Sequence, residues 1–202
     1  MQTLEELKRQ QQQIIQIILD ANQDITDIEA IVDSLENTDE VFEYRYNGVF
    51  DRVLGGLWNH LVLQVCILSD KTEHYSIPKL LNKMVENYKT AEWGGKVNKN
   101  ELNEYLDLLN ATEFVNEIER IKGVRDKHYA HLDRNRENYS LSIEEIKKVI
   151  GEYEKVMNEL SVKTFGTQHG FKRVTYAKYE NIIMDLMEYN KGKWETKKDA
   201  EY

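Results

Sequence analysis

Residues 125–131 read Arg-Asp-Lys-His-Tyr-Ala-His and continue into Leu132-Asp133. Arg125 carries a permanent cation whose planar fork matches a phosphate. His131 takes or gives a proton near neutral pH. Together the two could cleave RNA without a metal. In that reaction the ribose 2′-hydroxyl attacks the adjacent phosphate. A base takes the hydroxyl proton, an acid protonates the leaving oxygen, and a cation stabilises the charge growing on the phosphate. His131 is the candidate base or acid, and Arg125 is the candidate phosphate ligand. Asp126 is a candidate for orienting a histidine or an arginine, as is Asp133. Lys122 and Lys127 would add positive charge toward a substrate.

His128 lies three residues from both Arg125 and His131, on adjoining faces of a helix, which makes it a second candidate acid or base. A bond from His128 to a neighbouring carboxylate is an equally good reading. Histidines at i and i+3 can also share a metal ion. A metal site usually has a third or fourth ligand and a supporting shell, and no motif elsewhere supplies them. No metal and no other cofactor is expected.

The chain has 202 residues and a formal net charge of −9. That charge disfavours broad, non-specific binding to nucleic acid, which wants a basic face. The motif segment is different: Lys122, Arg125, Lys127, Arg134 and Arg136 outnumber Asp126 and Asp133 by three. The competing structural reading is a solvated helix end, with Arg125 paired to a surface acid. The helical neighbours three and four positions from Arg125 are Ile121, Lys122, His128 and Tyr129. None is acidic, so such a partner is expected from elsewhere in the fold.

The elements that must position these residues read as helices. One proline and ten glycines leave few breaks. Leu4, Leu7, Ile14, Ile17, Ile18, Ile25, Ile28, Ile31, Val32 and Leu35 recur at helical spacing and predict a first helix from about Leu4 to Leu35. A break with an N-cap is expected at Asn37-Thr38-Asp39. A second helix from about Glu40 to Ser69 is apolar on more than one face, which suits a bundle centre or a subunit interface. Gly55-Gly56 inside it suggest a kink or a close helix approach, and His60 reads as a satisfied core or interface histidine. Trp58 and Trp93 read as packing residues.

Ser76 with Pro78 opens a helix running to Tyr88, and Glu92 to Lys96 form a loop. Asn98 or Asn100 caps a helix through Leu109. Thr112 begins the helix that carries the motif, ending near Leu132. Asp133 to Tyr139 read as a loop. Ser142 and Glu145 form a capping box for a helix through Leu160, and Phe165 to Phe171 form another loop. A last helix spans about Val174 to Tyr189, followed by a charged tail, 190–202, expected to fray. No strand pattern is strong enough to build a sheet. The expected fold is all-α: one domain over residues 1–202, an up-and-down bundle of about four core helices with the N- and C-terminal helices packed around it.

The lone Cys66 excludes an internal disulfide and fits a reducing cytoplasm. The first twenty residues carry no signal-peptide pattern. The longest apolar run, Leu61 to Leu68, is too short to span a bilayer. A cytoplasmic protein without a membrane partner is expected.

Arg125-Asp126-…-His131 resembles the Arg-x(4–6)-His motif of the HEPN superfamily. Further residues resemble its abortive-infection branch, type U. They are Leu57-Trp58-Asn59-His60-Leu61 leading to Leu68-Ser69-Asp70, then Ser76-Ile77-Pro78-Lys79-Leu80-Leu81. The branch motif reads Arg-Asp-Lys-x-x-Ala-His-x-Asp, which Arg125, Asp126, Lys127, Ala130, His131 and Asp133 match. The resemblance covers about Val49 to Asp133. It implies a helical bundle and a metal-independent endoribonuclease of a prokaryotic defence or toxin–antitoxin system, with RNA as substrate and an antitoxin as possible partner. Some HEPN toxins carry a tyrosine two residues after the histidine, which a partner nucleotidyltransferase modifies; Asp133 stands there in this chain.

On a single helix Arg125 and His131 lie about 120° apart, so two motifs meeting across a two-fold axis would complete one site. The resemblance implies the same homodimeric arrangement. The alternative function is a non-catalytic helical module that holds RNA, a nucleotide or a protein partner in the same groove. Arg125 and Lys127 would then act by charge, with His131 incidental.

Overall fold

A computed structural model describes residues 4–36, 38, 40–88, 97–126, 141–171 and 178–198. Among them are seven helices and no strand: α1 (Leu4–Leu35), α2 (Glu40–Ser69), α3 (Ile77–Glu86), α4 (Lys99–Leu109), α5 (Thr112–Arg125), α6 (Ile143–Phe165) and α7 (Lys178–Lys198). The protein is an all-α helical bundle. The expected loops at 92–96 and 133–139, Trp93, and the start of the last helix fall outside the described residues.

The helix starts follow their local chemistry. Ser76 Oγ accepts from the Lys79 amide at 3.4 Å, with Pro78 in the first turn of α3. Asn98, rather than Asn100, caps α4: its Oδ1 accepts from the Glu101 amide at 2.9 Å, and Glu101 reaches back to the Asn98 amide. Ser142 and Glu145 form the reciprocal box at α6. Each box satisfies amides that the first helical turn leaves unpaired. α6 ends at Gly166, whose φ of +67° needs a residue free to adopt the left-handed region.

α1, expected to pack around the core, supplies a large part of it. Leu7, Ile14, Ile18, Ala21 and Ile25 are buried, and α2 is its main neighbour. Leu61, Val65 and Leu68 of α2 meet this face, and Leu80, Leu81 and Met84 of α3 join them. Tyr153, Val156 and Leu160 of α6 complete the core. A smaller cluster of Ile31, Phe50 and Ile183 ties α7 to α1 and α2.

Parts of three further expectations need correction. α2 runs unbroken through Gly55 and Gly56, and a methyl group at either would meet nothing within 4 Å. The glycines therefore serve no close helix approach among the described residues. His60 is satisfied but not in the core: its side chain is 58% exposed, and Nδ1 lies 2.7 Å from the buried Asp24 carboxylate. Burial pushes the Asp24 carboxyl up, while His60 beside it pulls the other way. α7 continues past Tyr189 to Lys198. Its lysines and glutamates are good helix formers and no proline interrupts them, so charge there does not mark the end of the helix.

Candidate functional site

α5 delivers Arg125. Ile118, Ile121 and Val124 are buried along one face of α5, and α2 is its main neighbour. Two ion pairs lock α5 to α6: Arg120 to Glu145 and Lys148 to Glu117. Lys122 and Arg125 lie in the last turn of α5, where their positive charge complements the negative end of the helix dipole.

The Arg125 side chain is 32% exposed. Its Nε and Nη2 both reach Asp126 Oδ1 at 2.7 Å. That bond raises the guanidinium pKa further, so the group is a cation at every relevant pH. Asp126 occupies one edge of the planar fork. Guanidinium carries five N–H donors, more than its contacts with Asp126 and Cys66 use.

Behind Arg125 lie Cys66 and Asp70 of the α2 end. Cys66 is 3% exposed, and its thiol is within hydrogen-bonding reach of the arginine. Burial pushes the thiol up, outweighing the pull of Arg125 and Lys122, so it stays protonated and acts as a packing group. Asp70 Oδ1 accepts from both the amide and the hydroxyl of Thr72 at 2.7 Å. Those bonds hold its carboxyl below the usual range, and Lys122 adds to the effect. Lys122 Nζ pairs with Glu119 at 3.1 Å.

Of the residues expected to form the site, Arg125 and Asp126 are in direct contact, and Lys122 stands one turn back on the same helix. Lys127, His128, His131 and Asp133 lie outside the described residues. Asp126 accepts from the Arg125 guanidinium. Among the described residues the acid in contact with Arg125 is therefore its immediate neighbour, not one supplied from elsewhere in the fold. Helical spacing rules consider only positions three and four away, whereas Asp126 is the adjacent residue in the chain.

Sequence reasoning does not single out Cys66 or Asp70 as site residues. The signal for Asp70 is its place at the end of an aromatic-bearing helix. For Cys66 no sequence signal exists, since a cysteine in an apolar run reads as core. Among the described residues no group of three histidine, cysteine, aspartate or glutamate side chains is placed to hold a metal. No helix there is long and apolar enough to cross a membrane.

No match is found among curated proteins or solved structures. A family model, by contrast, matches residues 16–186, from within α1 to within α7, and so takes in both the α2 end and the arginine–histidine segment. That model is the HEPN family AbiU2, and the chain belongs to it.

Proposed function

We propose that the protein is a metal-independent endoribonuclease of a prokaryotic defence or toxin–antitoxin system. The observation that carries this reading is Arg125, a cation held at the end of α5 by Asp126 and carrying more donors than that contact uses. A HEPN family assignment, with a motif histidine six residues on, suggests the chemistry. Arg125 holds the scissile phosphate and stabilises its growing charge. His131 takes the 2′-hydroxyl proton or gives one to the leaving 5′-oxygen, and His128 is the candidate for the complementary step. Asp126 positions Arg125. Lys122, Lys127 and Asp133 act on the flanking substrate.

Two copies of the motif around one phosphate supply two arginines and two histidines, so the active form is a homodimer. Exposed Val49, Val53 and Leu63 along α2 give it apolar surface to bury. Light scattering should report twice 23.9 kDa; a monomer at micromolar concentration removes the shared site. The deciding experiment incubates pure protein with several RNAs in EDTA. Cleavage lost in both Arg125→Ala and His131→Ala supports the proposal. Cleavage unchanged in both refutes it.

One observation favours a second reading. Arg125 already has a counter-ion in Asp126, and the chain is acidic overall. A non-catalytic module that binds RNA, a nucleotide or a protein partner fits that balance. It predicts no cleavage and harmless expression with either residue at position 131.

A further inference from the structure

A cavity of about 340 Å³ opens between the end of α2, α5 and α6. It lies one helical turn from Arg125. Lys122 lines it, and Asp70, also in its lining, sits in the field of both Lys122 and Arg125. One wall is Phe114, half-buried and edge-on to Tyr153 with ring centroids 5.5 Å apart. Val115 lines the cavity while remaining 36% exposed, which places it toward the opening.

The polar atoms inside have a definite sense. Ser69 Oγ donates its one proton to the Val65 carbonyl at 2.5 Å. The Tyr153 hydroxyl, 2.6 Å from Ser69 Oγ, must therefore be the donor of that pair. Each oxygen keeps a lone pair and has no proton left to give. Asp70 adds a carboxylate that Thr72 holds ionised through Oδ1. A carboxylate has about four acceptor sites, so capacity for a ligand remains. This wall therefore presents acceptors, and Lys122 at the rim presents a donor.

A flat aromatic group whose edge carries adjacent donors beside an acceptor fits that pattern. Among nucleobases guanine does so, with N1–H and N2–H₂ beside O6; adenine and uracil alternate donors and acceptors, and cytosine sets two acceptors, not two donors, side by side. Proteins read unstacked bases by such edges and by aromatic contact. We propose that this cavity is a nucleobase pocket matched to guanine, holding the base of a nucleotide adjoining the phosphate that Arg125 grips. The proposal rests on the ribonuclease reading for its placement in a reaction, and the pocket itself is testable without cleavage.

Calorimetry with the full chain compares GMP, AMP, CMP, UMP and ribose 5-phosphate. GMP should bind tightest, at least about tenfold better than ribose 5-phosphate. Val115→Trp fills the opening from an exposed position and should weaken GMP at least about tenfold. Asp70→Asn keeps the side-chain shape and should erase the advantage of GMP over AMP. The pocket is overturned if ribose 5-phosphate binds as well as GMP, if another nucleotide binds tighter, or if both variants bind GMP like wild type. Should Val115→Trp fail to fold, Asp70→Asn decides alone. RNA cut without base preference, with no GMP binding, removes the pocket and leaves the nuclease. GMP bound in the expected pattern while RNA stays intact leaves the pocket and removes the nuclease.

Discussion

Arg125→Ala should separate function from folding. The side chain is one-third exposed and its ion-pair partner Asp126 is 59% exposed. An exposed pair of this kind contributes about 0–1 kcal/mol after solvent screening. Loss of Arg125 should therefore lower stability by about 1 kcal/mol or less, a fall of about 2–4 °C in Tm for a domain of this size. Ile121, one turn earlier on α5, is 1% exposed. Ile121→Ala removes three buried carbons and leaves a cavity, at about 2–5 kcal/mol. Cleavage should show the opposite order. If Arg125 meets the phosphate as proposed, removing its charge should cost about 10²–10³-fold in rate, whereas Ile121→Ala, assayed well below its Tm, should stay within about tenfold of wild type. Urea unfolding of both variants beside an RNA cleavage time course makes the comparison. If Arg125→Ala unfolds as early as Ile121→Ala, the arginine is a structural residue and its assignment to the phosphate fails.

Three further outcomes test the framework around the site. Tyr153→Phe should cost about 1 kcal/mol in urea unfolding, because the buried 2.6 Å bond to Ser69 Oγ disappears while Ser69 keeps its bond to Val65; an unchanged midpoint would contradict that bond. Ser142→Ala should destabilise by about 0.5–2 kcal/mol, since one reciprocal cap at α6 is lost, whereas Ser142→Asp should hold near wild type. Asp70 has a folded-state pKa below its ordinary value of about 3.9, so its contribution is present above that pH and is lost as pH falls through the folded value. Asp70→Asn should therefore be less stable than wild type at neutral pH, with the gap closing below about pH 4; a gap that widens in acid reverses the sign.

Much of the scaffold is legible in the sequence because apolar spacing and capping are local. The bounds of α1 follow from Leu4, Ile14, Ile18 and Leu35, and the α6 start from Ser142 and Glu145. Position in the fold is less legible. His60 interrupts an apolar helix, and only the packing of α1 on α2 shows it on the surface bonded to Asp24. Gly55 and Gly56 suggest a close approach, but a methyl group at either meets no neighbouring element. At the site, the Arg125 cation and Asp126 can be named from residue types alone. Their direct contact depends on how α5 ends, and the approach of Cys66 and Asp70 depends on how α5 lies on α2. Those are tertiary facts that no periodicity encodes.

The central claim is 2′-hydroxyl attack carried out by this chain's own side chains, and the termini of cleaved RNA test it most directly. Mass spectrometry of the products made in EDTA should find 2′,3′-cyclic phosphate on the upstream fragment and 5′-hydroxyl on the downstream one. Both should vanish in Arg125→Ala and His131→Ala. A 3′-hydroxyl with a 5′-phosphate would mean that water attacked instead, and would contradict the account.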